Sequence, residues 1–132
     1  MKIIYKSAWI HVAERKLLFV RAKGNDTFYI PGGKKDEGET DEMALIREIQ
    51  EELSVDLLRE SIIFQKKFIS PAHGKHEDTT LEMMCYFADF TGKPMPSNEI
   101  EQMTWYCHAD RAKTSGARTA ILDWLKEEDL ID

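Results

Sequence analysis

Cysteine is scarce in this 132-residue chain. Cys85 and Cys107 stand far apart and form no metal-like pair. That argues against a disulfide framework or a thiolate metal site and leaves two reduced thiols on strands. Long apolar runs are missing too: none approaches the roughly 20 residues that span a bilayer. The first residues, Met1 to Lys6, lack the apolar stretch and small-residue cleavage site of a secretory leader. A cytoplasmic location is the default expectation. Basic charge is in deficit, with 18 Lys and Arg against 24 Asp and Glu, for a net charge of −6. A nucleic-acid polymer is therefore a poor partner, since its binders usually carry a basic patch. A small anionic substrate is not excluded, because divalent cations can reverse the field locally. There is no repeat, low-complexity tract or linker-like stretch.

What is there suits a soluble globular protein, with a hydrophobic fraction of 42% and a charged fraction of 32%. The length predicts one domain, residues 1–132, with one core. Residues 3–12 are rich in Ile, Val, Tyr and Trp and read as a strand. Residues 13–16 read as a hairpin turn, 17–20 as a buried strand, 23–26 as a second turn and 28–30 as a short strand ended by Pro31-Gly32-Gly33. A helix follows over 40–53, with Thr40 as N-cap and Asp41 and Glu42 at the positive end of its dipole. Strands are predicted at about 62–69, 80–90 and 104–107, the last after a loop at 93–97. A final helix over 117–127 places Ala117, Ile121, Trp124 and Leu125 on one stripe. Strands mixed with two separate helices predict an α/β or α+β fold with helices over a mixed sheet.

On a helical wheel at about 100° per residue, Ile46, Ile49 and Leu53 share one arc, and Glu48, Glu51 and Glu52 gather roughly opposite, flanked by Arg47. The expectation is an apolar face on the sheet and an acidic face turned away from it. An acidic face alone is usually just solvated. The preceding residues change that reading. Pro31-Gly32-Gly33 lets the backbone approach a ligand without Cβ obstruction. Lys34 and Lys35 can meet phosphate as point charges. A Gly-Gly turn, two lysines and an acidic helix face together look like a site for a hard divalent cation and a phosphate.

These residues also fit a fixed pattern, G-x5-E-x7-R-E-U-x-E-E-x-G-U with U bulky and apolar. It is met here by Gly33, Glu39, Arg47, Glu48, Ile49, Glu51, Glu52 and Val55. One defining position departs: Ser54 stands where the pattern has glycine. The segment 33–55 thus resembles the signature box of the Nudix (MutT-like) hydrolases. The length and strand order are similar to a minimal Nudix domain. The resemblance implies a loop–helix–loop catalytic element in an α/β/α sandwich with a mixed central sheet. It implies magnesium, with manganese as an alternative, held by Glu48, Glu51, Glu52 and the Gly32 carbonyl. It gives Arg47 the role of bracing the glutamates, Glu39 that of supporting the loop or binding metal through water, and Gly33 that of permitting the loop's shape. Ser54 implies either a left-handed helix end at a cost of roughly 1–2 kcal/mol or a different helix ending.

The implied reaction is attack of water on a phosphorus of a diphosphate, with a carboxylate taking the proton. The family does not fix that base; Glu99 and Glu101 are candidates beside the box glutamates. Arg21 and Lys23 are placed to reach phosphates, or else are simply solvated. Trp9, Phe28, Tyr29, Trp105 and Tyr106 offer stacking surfaces or core. His73 and His76 match no metal signature and read as part of a substrate-side loop, and His11 and His108 carry no readable signal. The leading expectation is a nucleoside triphosphate pyrophosphohydrolase. The alternative is a diphosphatase of ADP-ribose or another nucleotide sugar, for which Pro71, 16 positions after Val55, has the right flavour. A binding module without catalysis is disfavoured because every box glutamate is present. Homodimer formation is left open.

Overall fold

The computed structural model describes residues 2–71 and 78–132; His73 and His76 lie outside them. In chain order the strands are β1 (Lys2–Trp9), β2 (Val12–Ala13), β3 (Lys16–Ala22), β4 (Phe28–Tyr29), β5 (Gly32–Gly33), β6 (Asp56–Leu57), β7 (Ile63–Pro71), β8 (Thr79–Phe87), β9 (Phe90–Thr91) and β10 (Ile100–Tyr106). Helix α1 (Asp41–Leu53) follows β5, and α2 (Ala117–Glu127) follows β10. Short 3-10 turns occupy Arg59–Ser61 and His108–Lys113.

One sheet has the order β5-β1-β8-β7 and is mixed: β1 runs parallel to β8, while β5 and β7 are antiparallel to their neighbours. A second, antiparallel sheet has the order β10-β3-β2, with β4 also paired to β3. The β2–β3 turn is tight, with Glu14 and Arg15 both at positive φ, the mirror-image geometry that matches strand twist.

Side chains alternate along β1 and β3 and so feed two apolar cores. Ala8, Ile10, Leu17 and Phe19 pack with Ile121, Leu122 and Leu125 of α2. Trp9, Leu18 and Val20 pack with Leu45, Ile49 and Leu53 of α1. The sheets therefore lie between the two helices, an α/β/α sandwich with a mixed sheet. Several sequence-predicted elements differ at their ends. The first expected strand is cut at Ile10 and His11, and that over 80–90 is split between β8 and β9. The last starts four residues early, at Ile100, because β10 pairs along β3 from Leu17 to Ala22. The pairings of β5 with β1 and of β6 with β9 depend on partners distant in sequence, which local pattern does not reveal.

Candidate active site

Helix α1 begins where expected. The Thr40 hydroxyl accepts from the Met43 N–H at 3.1 Å, and Asp41 and Glu42 lie in the first turn. Its far end has no basic residue in the last turn, so the final carbonyls need other donors. The loop before β10 supplies them. Met95 N–H donates to the Leu53 carbonyl at 3.0 Å, Ser97 N–H to Glu52 at 3.0 Å, and the Asn98 side-chain amide to Glu51 at 2.6 Å. Ser54 keeps the left-handed ending, with φ 57° and ψ 33°, and its N–H donates to Gln50. Its hydroxyl lies 2.6 Å from that of Ser97. Docking of this loop brings Glu99 to the same end of the helix as the box glutamates.

The two faces of α1 are not opposed, and the sequence expectation needs correction here. Glu52 is only 2% exposed, as buried as the apolar residues around it. Ala44 and Leu45 are buried along with Ile49 and Leu53. Leu45 and Glu52 lie about 20° apart on the wheel, so the buried arc runs into the acidic one. The reason is β5, which brings the Gly32 N–H to 3.1 Å from Glu52 Oε1 and draws that carboxylate inward. Glu48 is largely covered and Glu51 half-exposed, their side chains being 17% and 43% accessible.

Arg47 ties the loop to the helix. Its Nε and Nη2 donate to the two Glu39 oxygens at 2.8 and 2.9 Å, a bidentate pair. Nη1 donates to Glu48 at 2.6 Å and to Glu51 at 3.4 Å, and Nη2 also reaches the Lys34 carbonyl at 3.1 Å. The guanidinium holds the Glu39 carboxyl far down, at about 2. Burial pushes Glu48 and Glu52 the other way, above the ordinary carboxylate range; nearby Lys6 opposes this at Glu52. Glycine at position 33 leaves room for the Glu48 carboxylate, which a Cβ there would displace. At Gly32, with φ 145°, a Cβ would strike the Ser7 backbone of β1.

The negative charge of Glu99 adds a small upward push on Glu48, Glu52 and the Tyr29 phenol, whereas Glu101 pairs with Arg21 at 2.8 Å. The two loop acids thereby differ: Glu99 acts electrostatically on the cluster, while Glu101 is held by Arg21. Arg21 is committed elsewhere, donating also to Gln102 and the Asn25 carbonyl. Lys35 pairs with Asp41 at 3.2 Å, and Lys34 is exposed on the loop. Phe28 and Tyr106 belong to the α2-side core, while Trp9 and Trp105 pack on the α1 side.

The oxygens of Glu48, Glu51, Glu52, Glu99 and the Gly32 carbonyl suit a hard cation such as magnesium. Glu52 is the sharpest sign of fit: a buried carboxylate is stable only beside compensating charge or hydrogen bonds. As they stand, no three of the carboxylates converge tightly enough to enclose an ion among the described residues. Glu48 and Glu51 lean to Arg47 while Glu52 is drawn to Gly32. Beside the cluster is a cavity of about 180 Å³. It is lined by Lys6, Thr27, Tyr29, Ser70, Pro71, Met83 and Arg118, among others. Sequence reasoning missed Lys6 and Arg118. For Lys6 the signal was its place in the alternation of β1, two residues before core Ala8 and four before Ile10.

Three solved structures show how widely the fold recurs. A MutT Nudix hydrolase of Burkholderia pseudomallei superposes with a TM-score of 0.71 at 23% identity, covering 92% of this chain and 96% of its own. A MutT structure from a comparison of Aliivibrio salmonicida with Vibrio cholerae gives 0.72 at 21% identity, covering 96% and 99%. A UDP-X diphosphatase gives 0.69 at 15% identity, covering 98% and 64%. No curated protein sequence matches the chain. The model of the NUDIX domain matches residues 6–125, including the whole carboxylate cluster. With that match over most of its length, the chain belongs to the Nudix family and is a Nudix hydrolase.

Proposed function

We propose that this hydrolase is a magnesium-dependent pyrophosphohydrolase of nucleoside triphosphates or related nucleoside diphosphate derivatives, with manganese as a substitute ion. The observation that carries the reading is the buried Glu52 carboxylate on Gly32, grouped with Glu48 and Glu99 beside a cavity large enough for part of a nucleotide. Glu48, Glu51, Glu52 and the Gly32 carbonyl would hold the cation. When bound, it supplies charge neutralisation at the phosphate oxygens and a lowered pKa for water. The rest falls to the chain itself. Water oxygen attacks phosphorus, the bridging P–O bond breaks, and the departing phosphate carries away the electron pair. Arg47 fixes Glu48 and the loop, which keeps the oxygens in place before substrate arrives. The water's proton goes to Glu99, which is exposed and takes part in no side-chain hydrogen bond or ion pair among the described residues, unlike Glu48 and Glu52.

A diphosphatase acting on ADP-ribose or another nucleotide sugar is the second reading, favoured by Pro71 in the cavity wall. The deciding experiment is incubation with nucleoside triphosphates, ADP-ribose and UDP-sugars in magnesium, with all products identified. A nucleoside monophosphate plus pyrophosphate supports the first reading, and a nucleoside monophosphate plus a sugar phosphate the second. Absence of metal-dependent turnover on every compound would falsify both. A cytoplasmic location is part of the proposal. It is supported by two unpaired thiols and by the lack, among the described residues, of a helix long and apolar enough to cross a membrane.

A further inference from the structure

We propose that Lys6, on β1, is the residue that grips the substrate phosphate lying between the carboxylate cluster and the adjoining cavity. This rests on the proposed hydrolysis of nucleoside diphosphate derivatives. Most other cations around the site are already engaged. Arg21 is held by Glu101, Lys35 by Asp41, Lys67 by Glu82, and Arg47 by Glu39 and Glu48. Arg118 donates to the Phe28 carbonyl at 2.7 Å and to Ser115 at 3.0 Å. Lys34, exposed on the box loop, lines a separate surface depression rather than the cavity that Lys6 and Tyr29 line.

Lys6 is different. It is half-buried, lines the cavity, and its ammonium lies over the Tyr29 ring, 4.4 Å from the centroid. It enters no ion pair within 4.0 Å and no hydrogen bond among the described residues. Yet it feels Glu52 and Glu48 on one side and Arg118 on the other. Among the described residues, no oxygen lies on this half-buried ammonium, so its three donors are free to take an incoming acceptor. A phosphate oxygen is such an acceptor. A cation–π contact constrains where the ammonium sits without using its N–H groups in strong bonds. Strand β1 pairs with both β5 and β8, so the stem of Lys6 rises from rigid backbone, as a binding group should. The position also joins the two halves of the site: Lys6 lines the cavity and at the same time feels the charges of Glu52 and Glu48.

The test compares Lys6→Met, Lys6→Gln and Lys6→Arg with the parent. Substrates are GTP, ATP, UTP, CTP and ADP-ribose, and both substrate and magnesium concentrations are varied. Methionine suits the apolar floor, and glutamine is a second neutral variant should methionine impair folding. For the best parent substrate, each neutral variant is expected to raise KM at least tenfold at saturating magnesium, with a smaller change in kcat. Lys6→Arg should stay within about threefold of the parent in KM. Half-saturating magnesium should not rise in the neutral variants, since removal of a nearby cation favours another. Neutral variants within twofold of parent kcat/KM would overturn the inference while leaving the proposed function intact. A raised magnesium requirement with unchanged KM would also overturn it, because Lys6 would then act through Glu52. If the parent hydrolyses none of the five compounds, this inference falls along with the proposed function.

Discussion

Glu52 carries two burdens at once. It is buried like a core residue, and it is the carboxylate to which β5 presents an N–H. Glu52→Gln keeps the acceptor for Gly32 but removes the anionic oxygen. Turnover is expected to fall at least about 100-fold, in the range seen on loss of a strong transition-state contact. The melting temperature should change little, because a neutral amide sheds the cost of burying charge while losing the attraction of Lys6. Glu14→Gln, in the β2–β3 turn, is the control and should match the parent. The check is magnesium-dependent turnover with thermal melts; near-parent activity in Glu52→Gln would rule out the metal-site reading. At Glu39 the argument is one of pH. Arg47 holds its carboxyl at about 2 against an ordinary 4.5. A depressed acid stabilises the fold above its unfolded value and loses that contribution as pH falls through the folded one. The melting difference between the parent and Glu39→Gln should therefore be full above pH 4.5 and shrink toward pH 2. A difference independent of pH would show that the Arg47 brace is not electrostatic.

At the scale of elements, α1 is defined as much by its ends as by its faces. Thr40 closes one end from within the sequence. The other is closed by residues more than 40 positions on, through Met95, Ser97 and Asn98. Between them Ser54 holds φ 57°, a conformation that costs a non-glycine residue about 1 kcal/mol. Ser54→Gly should recover part of that, offset by the lost contact with the Ser97 hydroxyl. A gain of up to about 1 kcal/mol in denaturant unfolding is expected. No gain, or a loss, would show that the serine contact outweighs the strain. The two box glycines should behave differently. In Gly33→Ala the new methyl meets a side chain, Glu48, which can rotate away, so folding survives while activity collapses. In Gly32→Ala it meets the β1 backbone, which cannot, so β5 should detach and stability fall as well. Circular dichroism melts beside turnover separate the two outcomes.

The whole molecule divides stability from chemistry. Both apolar cores are built from side chains other than the site carboxylates, of which only Glu52 is itself buried. Chelation should accordingly leave the protein folded and inactive. Magnesium should then raise the melting temperature by mass action, with a gain of about 1.4 kcal/mol at ten times the dissociation constant. The shift should shrink in Glu52→Gln. Unfolding on chelation would show that the ion is structural, and a melt unmoved by magnesium would deny the cation site.

Much of this was open to a reader of the sequence. The spacing from Gly33 to Val55 specified the family, the helix and Thr40 as its cap, since such spacings map directly onto a helix with a fixed 3.6-residue period. Strand-forming residues marked β1, a continuous apolar run marked β3, and one apolar stripe marked α2. Tertiary structure decided what depends on partners far along the chain. It set Glu52 under the sheet rather than opposite it, because β5 arrives there with an N–H that no local pattern foretells. It distinguished Glu99 from Glu101, because the loop before β10 must satisfy the carbonyls at the end of α1. It set Lys6, which the sequence does not single out, over Tyr29 in the cavity wall and within the field of Glu52 and Glu48, because the pairing of β1 with β5 and β8 sets which groups that strand faces. Helical period and capping are local interactions written into neighbouring residues. The position of a charge relative to distant carboxylates is a property of packing, and exists only once the strands have met.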